Sequence, residues 1–164
     1  MAKAAVSATF LALAACNPIA QVEAGDSQVA KFHAAYSRGD RDALYAMTGR
    51  QFRATTSRAQ LDDLIEVVGS RLGAVRSSER TGFNVNSNTE GTFTSITMTT
   101  HFAKGDGQEN FVFSGSGDAM TLEGWHVESP RLMVTADDVA DERAEGAPPM
   151  VVVKAAPKKR ASAD

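Results

Sequence analysis

The chain has 164 residues, of which 43% are apolar and 23% are charged, and its formal net charge is −3. That length suits one globular domain with terminal extensions and excludes two domains of ordinary size. The near balance of charge argues against nucleic acid as a partner. A single cysteine excludes an internal disulfide, and the three histidines lie far apart in the sequence, so we expect neither a metal site nor a cofactor.

The first 16 residues have the features of a bacterial export signal. Lys3 is followed by an apolar run from Ala4 to Ala15, which is too short to span a bilayer, where about 20 residues are needed. The run ends in Leu13-Ala14-Ala15-Cys16, which resembles the lipobox of bacterial lipoproteins. The pattern therefore predicts a lipoprotein signal peptide over residues 1–16. The alternatives are a buried N-terminal helix with an incidental cysteine, and ordinary signal peptidase cleavage at a nearby small-x-small site.

The lipobox resemblance implies fatty acyl chains, palmitate among them, on Cys16. Several such chains anchor a protein stably where one chain would bind weakly. The anchor would hold the protein on the periplasmic face of a membrane in the bacterial cell envelope. Asn17 stands where an aspartate would retain the protein in the inner membrane, which favours the outer membrane and leaves the inner membrane as an alternative. Residues 17–25 would then be a short tether.

Helical periodicity predicts three helices between residues 26 and 73. The first begins at Asp26 or Ser27 and ends at Gly39, and Asp40 begins a second, short helix that reaches Gly49. The apolar face of the first helix has the i, i+3, i+4, i+7 spacing and consists of Val29, Phe32, His33 and Tyr36. The second helix carries Leu44, Tyr45 and Met47.

The third helix is the best-marked element of the chain. Ser57 and Gln60 form a capping box, in which the serine hydroxyl accepts the Gln60 amide and the glutamine side chain reaches back, and Gly73 ends the helix. Its apolar stripe has helical spacing and consists of Leu61, Leu64, Ile65, Val68 and Leu72. We expect this stripe to be covered by the sheet that follows, and Phe52 to pack beneath the first two helices.

After Gly73 the apolar residues alternate with polar ones, which is typical of β-strands. The predicted strands are residues 81–86, 92–102, 109–114 and a last strand that runs to about Met133. Because mainly tight turns join them, the sheet should be an antiparallel meander. The sequence thus predicts an α+β domain over residues 26–134, with three helices packed on a four-stranded antiparallel sheet.

The composition shifts after residue 134. Residues 135–164 carry acidic side chains between 137 and 145 and basic ones between 154 and 160. Such a segment buries too little apolar surface to offset the entropy of ordering it. We therefore expect a largely disordered charged tail after one short helix. Residues 150–153 are an apolar exception that could add to a sheet edge.

The order and spacing of these elements resemble the NTF2-like superfamily, and within it the uncharacterised bacterial DUF4019 group. The resemblance covers roughly residues 28–130 and rests on Ser37-Arg38-Gly39-Asp40, Leu72-Gly73 and Glu123-Gly124-Trp125-His126-Val127. It implies a cone in which a curved antiparallel sheet wraps around three helices. Because the function of that group is generally unassigned, the resemblance implies a fold more than an activity.

Ketosteroid isomerases are the best-known enzymes of this superfamily, and their chemistry needs a carboxylate base and an oxyanion donor. By the resemblance, Phe32 stands where the oxyanion-binding tyrosine would be, and phenylalanine cannot donate a hydrogen bond. Residues 51–55 lack the aspartate that would serve as base. Among the histidines, we expect His33 to be buried and hydrogen-bonded. His101 could line the polar side of the sheet near Glu109, and a solvated or cross-strand pair without a catalytic role is the favoured alternative.

We therefore expect a binding module rather than an enzyme, with a small apolar ligand or an envelope protein as its partner. The candidate ligand-pocket residues are Phe32, His33, Tyr36, His101 and Trp125. Further apolar residues expected to frame the same interior are Phe83, Ile96 and Met98. Two alternatives stay open. One is an isomerase or hydrolase that uses a histidine with a nearby carboxylate, and the other is a structural domain that forms a homodimer across its open sheet face.

Overall fold

A four-stranded antiparallel sheet carries helices on one of its faces. The computed structural model describes residues 18–133, which form four helices followed by four strands in the order β1-β2-β3-β4. The helices are α1 Pro18–Arg38, α2 Arg41–Ala46, α3 Arg50–Thr55 and α4 Arg58–Leu72. The strands are β1 Val75–Asn88, β2 Gly91–Phe102, β3 Asp106–Ser114 and β4 Thr121–Glu128, with 3-10 turns at Gly117–Ala119 and Pro130–Leu132. The predicted α+β class and antiparallel sheet are confirmed.

Several predictions fall on parts of the chain outside the described residues. These are the signal peptide, the lipid on Cys16, and the charged tail of residues 135–164 with its apolar patch at 150–153. Within residues 18–133, none of the helices combines the length and the apolar character that crossing a membrane requires.

The first helix begins earlier than the sequence pattern indicates. α1 starts at Pro18 rather than at the predicted Asp26, so residues 18–25, predicted to be a tether, form its first turns. Proline suits the first turn of a helix, where the N–H groups have no helical partner. Val22 and Gly25 are both buried. Val22 extends the apolar stripe by two turns, and burial of that extension stabilises the early start.

The structure has four helices where the sequence predicts three. The helix that the prediction lacks is α3, because no local sequence pattern marks it. Gly49 precedes this helix and has no side chain with which to cap it. The cap comes instead from β4, where the carboxylate of Glu123 accepts the N–H groups of Gln51 at 2.8 Å and Phe52 at 3.1 Å. A cap that the folded chain supplies from a distant strand leaves no pattern near the helix itself.

α4 has the predicted capping box, with Ser57 accepting the Gln60 amide and the Gln60 side chain accepting the Ser57 amide. Gly73 follows its last turn with a φ of 76°, a conformation that glycine adopts easily. The buried residues of α4 are Leu61, Ile65, Val68 and Leu72. Leu64 was expected among them but is 37% exposed. At about 100° per residue it lies at the margin of the stripe and not at its buried centre.

The strand register gives the sheet an inner face toward the helices and an outer face away from them. Ile96 of β2 is paired with Phe83 of β1 and with Phe111 of β3, which is paired in turn with Trp125 of β4. Ile96 and Phe111 are fully buried. The outer face carries the intervening, mostly polar residues, among them Ser95, Thr97, Thr99, Asn110 and His126.

Phe83 departs from the predicted interior. Although it shares a register row with the buried Ile96, it is 60% exposed. Among the described strands β1 lies at the edge of the sheet, so Phe83 has a neighbouring strand on one side. The guanidinium of Arg80 lies 5.3 Å from the Phe83 ring centroid, and its Nε lies 3.6 Å from Asp26 of α1. This cation-π contact shields part of an otherwise solvated ring.

Candidate functional site

A buried carboxylate lies on the inner face of the sheet. Glu109 of β3 is 1% exposed. Its oxygens accept three hydrogen bonds, from Trp125 Nε1 at 2.9 Å, Thr100 Oγ1 at 2.5 Å and His33 Nε2 at 2.7 Å. A charged group in the interior is costly unless polar partners surround it. Three donors satisfy Glu109 as an anion, since an ionised carboxylate accepts hydrogen bonds and donates none.

His33 connects this carboxylate to the surface. The ring is held by α1 with the residue 7% exposed, and its second nitrogen, Nδ1, lies 3.4 Å from the hydroxyl of Ser78 on β1. With the ring proton on Nε2, which faces Glu109, Nδ1 is the acceptor and receives the Ser78 hydroxyl. Ser78 itself is exposed. The three side chains form a continuous path from solvent to the core, which we call the Ser78-His33-Glu109 line.

Aromatic rings surround the buried end of this line. The centroid of Phe32 lies 4.9 Å from that of Trp125, and Tyr36 lies 6.5 Å from Trp125. The His33 ring lies 5.6 Å from Phe111. Four of the five predicted pocket residues are thus together, and the most exposed of them, Trp125, is only 9% exposed. Since these side chains pack against one another, a ligand would have to displace them to enter.

His101, the fifth predicted pocket residue, does not join this group. It lies on the outer face, where its Nδ1 is 2.7 Å from Asp106, its partner in the register. Glu109 faces the interior opposite Met98, so the expected proximity of His101 and Glu109 is wrong. Side chains alternate along a strand, and residues three positions apart point to opposite faces. Asp106 therefore meets His101 where Glu109 cannot.

The side chain of Tyr36 reaches from α1 to the end of α4, where its hydroxyl donates to the carbonyl oxygen of Gly73 at 3.0 Å. Burial raises the pKa of Tyr36 to about 12, and the negative charge of Glu109 contributes to the rise. The phenol is therefore neutral at physiological pH and serves as a hydrogen-bond donor.

A solvent-open cleft of about 410 Å³ lies beside Tyr36, between the end of α1, α4 and the start of β1. We call it the Tyr36 cleft. Its apolar lining comes from Tyr36, Ile65 and Ala74, and its charged lining from Arg38, Arg41 and Glu66. Three glycines, Gly39, Gly69 and Gly73, also line it and leave space beside the ring. The volume is in the range of small-molecule sites, which span roughly 300 to 1,000 Å³.

The two arginines of the Tyr36 cleft differ in how their charge is balanced. Arg41 donates to the carbonyl oxygen of Asp62 and lies 3.5 Å from the carboxylate of Glu66. Within the described residues, the ion partner of Arg38 is Asp40 at 3.9 Å, and the Arg38 side chain is 63% exposed. An ion pair that long and that exposed is weak. The guanidinium of Arg38 can therefore bind an acidic group on a ligand.

Sequence reasoning missed Glu109 as the centre of the site, and it missed Ser78 and the two arginines. A signal for Glu109 exists, since it shares strand parity with Phe111 and Phe113 and must face the interior with them. Ser78 has no such signal, because the predicted first strand starts at residue 81. Arg38 ends α1 and Arg41 begins α2, in a polar stretch that resembles an ordinary solvated corner.

Within residues 18–133, no three His, Cys, Asp or Glu side chains are grouped so that they could hold a metal ion. No protein-family model matches the chain, and no curated protein matches it. The resemblance to the NTF2-like superfamily therefore stays a prediction from the sequence.

Proposed function

We propose that this chain is a lipid-anchored cell-envelope protein whose NTF2-like domain binds a small molecule in the Tyr36 cleft. The cleft carries the proposal, because it is open to solvent and combines apolar walls with a weakly paired guanidinium, that of Arg38. A site of this kind suits a ligand with an apolar body and an acidic group. The buried aromatic interior is a poorer candidate, since its side chains already occupy it.

The other parts of the proposal have separate support. Helices that precede an antiparallel four-stranded meander are in keeping with an NTF2-like cone. The run that ends in Leu13-Ala14-Ala15-Cys16 supports the lipid anchor. Asn17 favours the outer membrane as the place where the domain would meet its ligand, on the periplasmic side.

The first experiment uses 4-phenylbutyrate as the probe, with the neutral 4-phenylbutanol for comparison. Isothermal titration calorimetry on the full-length chain in detergent should detect binding of the acid. Replacing Arg38 by Gln should weaken binding of the acid about tenfold, because a hydrogen bond to a charged group contributes roughly 1.5–3 kcal/mol. The same substitution should leave the affinity for the alcohol nearly unchanged.

Gly69 offers a matched pair of variants that tests the location. A Cβ at this position would lie 3.8 Å from the Tyr36 hydroxyl, an ordinary contact. Gly69→Ala should therefore fold and bind as the unmodified chain does, whereas Gly69→Leu should fill the Tyr36 cleft and abolish binding. If Gly69→Leu binds 4-phenylbutyrate as well as Gly69→Ala does, the ligand site lies elsewhere and the proposal is wrong.

A further inference from the structure

We propose that Ser78 is a nucleophile activated by His33, with Glu109 as the positioning residue, and that the chain cleaves small carboxylic esters at this point of the β1 edge. The inference does not rest on ligand binding in the Tyr36 cleft. It rests on the Ser78-His33-Glu109 line, which joins an exposed hydroxyl to a buried carboxylate through one imidazole.

The geometry has the order that nucleophilic catalysis needs, in which a base contacts the nucleophile and a third group orients the base. The distance from Ser78 Oγ to His33 Nδ1 is 3.4 Å, which is long for a hydrogen bond but within the looser range of sites without substrate. The distance from His33 Nε2 to Glu109 is 2.7 Å. Exposure increases along the line from Glu109 to Ser78, so the nucleophile is the member that a substrate can reach.

Glu109 fixes the tautomer on which this activation depends. It is held as an anion by Trp125 and Thr100 as well as by His33. An anionic acceptor at Nε2 keeps the imidazole proton on that nitrogen. The lone pair of Nδ1 is then directed at the Ser78 hydroxyl. A histidine buried for packing alone would not need a carboxylate whose other partners hold it in place.

The surroundings of Ser78 supply further features of a reactive site. Register irregularities lie on both sides of it, between Val75 and Ser77 and between Arg80 and Gly82. Such bulges re-aim side chains and occur frequently beside active sites. Among the described strands β1 is at the sheet edge, and an edge strand presents backbone N–H groups without a strand partner. Those groups can donate to the oxyanion of a tetrahedral intermediate.

The reaction is ester plus water giving acid plus alcohol. The Ser78 oxygen forms a bond to the acyl carbon while its proton passes to His33 Nδ1, and the bond from that carbon to the alcohol oxygen breaks. The departing alcohol takes the proton from His33. Water then attacks the acyl group on Ser78 and gives its proton to His33. The bond from the acyl carbon to the Ser78 oxygen breaks, and that oxygen recovers the proton.

The test is labelling of the full-length chain by a fluorophosphonate, which reacts with activated serine hydroxyls, followed by mapping of the modified peptide by mass spectrometry. We expect Ser78 to be labelled and the label to disappear in Ser78→Ala. Ser77 is the matched control, since it lies on the outer face opposite His101. Ser77→Ala should leave labelling unchanged. His33→Gln should slow labelling about 100-fold or more, the usual contribution of a general base.

Glu109 and Glu123 separate a positioning role from a structural one. Glu109→Gln disturbs the hydrogen bonds of the buried cluster, and Glu123→Ala removes the hydrogen bonds that this carboxylate accepts from α3, so both should lower thermal stability. Glu109→Gln should also slow Ser78 labelling and move the imidazole proton from Nε2, as ring ¹⁵N chemical shifts would show. Glu123→Ala should keep both the tautomer and the labelling rate.

Two results would overturn the inference. One is fluorophosphonate labelling of Ser78 no faster than that of Ser77. The other is hydrolysis of p-nitrophenyl acetate by Ser78→Ala at the rate of the unmodified chain.

Discussion

Glu123 of β4 accepts the backbone N–H of Phe52 at 3.1 Å, although 71 residues separate the two in the sequence. The same oxygen accepts the N–H of Gln51 at 2.8 Å. The other oxygen accepts the hydroxyls of Ser114 at 2.6 Å and Thr121 at 3.1 Å. A helix of six residues such as α3 is not stable alone in water. One carboxylate thus caps α3 and joins it to the sheet.

Removal of this carboxylate should loosen α3. We expect Glu123→Ala to lower the free energy of unfolding by about 1–2 kcal/mol, the usual cost of a lost N-terminal cap. The backbone amides of Gln51 and Phe52 should lose protection in hydrogen exchange before the sheet does.

Glu128→Ala is the control in the same strand. Glu128 is exposed and bonded to His126 on the outer face, so its loss should change stability by less than about 0.5 kcal/mol. Equal effects would mean that Glu123 is not a cap.

The Glu123 cap should also make the free energy of unfolding depend on pH in the acidic range. Burial alone would raise the pKa of Glu123, but hydrogen bonds from Ser114, Phe52, Thr121 and Gln51 together lower it below its ordinary value. A carboxyl whose pKa is lowered in the fold stabilises the protein at pH values above its unfolded pKa of about 4.3. That contribution is lost as the pH falls through the folded pKa.

Urea unfolding of the unmodified chain and of Glu123→Gln, at pH 6 and at pH 3, measures this effect. The stability difference between them should be larger at pH 6 than at pH 3, where the Glu123 carboxyl of the unfolded chain is largely protonated. A difference that stays constant over this interval would show that the charge of Glu123 does not stabilise α3.

Local patterns predict those elements of this protein that local contacts stabilise. The Ser57 and Gln60 box and the glycine at position 73 mark α4 because the groups that cap it lie within the helix or next to it. Strand alternation predicts the sheet for the same reason. α3 escapes prediction because Glu123, which caps it, comes from another element. The sequence predicts a tether at residues 18–25 because the burial of these residues depends on contacts with the sheet, which no local pattern shows.

The same difference between local and long-range contacts applies to the candidate site. Helical spacing places Phe32, His33 and Tyr36 on one face, and strand parity brings Trp125 to them. The partners of His33 depend on register, which spacing alone does not fix. A shift of one residue would exchange the inner and outer faces of β3, and with them Glu109. Strand parity with Phe111 and Phe113 does place Glu109 on the inner face, so the expected proximity of His101 and Glu109 is an error of parity and not of register.

Tyr36 should make the free energy of unfolding decrease at alkaline pH. Its pKa is raised to about 12 by burial and by the charge of Glu109. Between pH 10 and pH 12 the unfolded chain loses this proton while the folded chain keeps it, so the stabilising contribution disappears as pH rises. Tyr36→Phe removes the hydrogen bond to Gly73 and should cost about 1 kcal/mol at pH 7.

The stability difference between Tyr36→Phe and the unmodified chain should narrow from pH 9 to pH 11.5, measured as urea midpoints. The narrowing follows because the phenylalanine variant has no proton to lose at this position. If the two midpoints fall in parallel over this interval, Tyr36 ionises equally in the folded and unfolded chains.

Substitution by alanine should lower the free energy of unfolding at Gly25 and raise it at Gly69. Both lie inside helices, where alanine is more favourable than glycine by about 0.5–1 kcal/mol. At Gly69 the nearest atom to an added Cβ is the Tyr36 hydroxyl at 3.8 Å, so Gly69→Ala should raise the free energy of unfolding by that amount. At Gly25 the Cβ would lie 3.0 Å from Ile96 Cγ1 and 3.5 Å from Thr94 Cγ2.

Ile96 and Thr94 are fully buried and cannot move aside without disturbing the core. Overpacking of this kind costs roughly 1–3 kcal/mol, which exceeds the gain from helix propensity, so Gly25→Ala should be net destabilising by about 1 kcal/mol. Urea midpoints of the two alanine variants measure both effects under one set of conditions. A Gly25→Ala variant as stable as Gly69→Ala would mean that α1 does not lie this close to β2, and that the early turns of α1 are held by something other than the sheet.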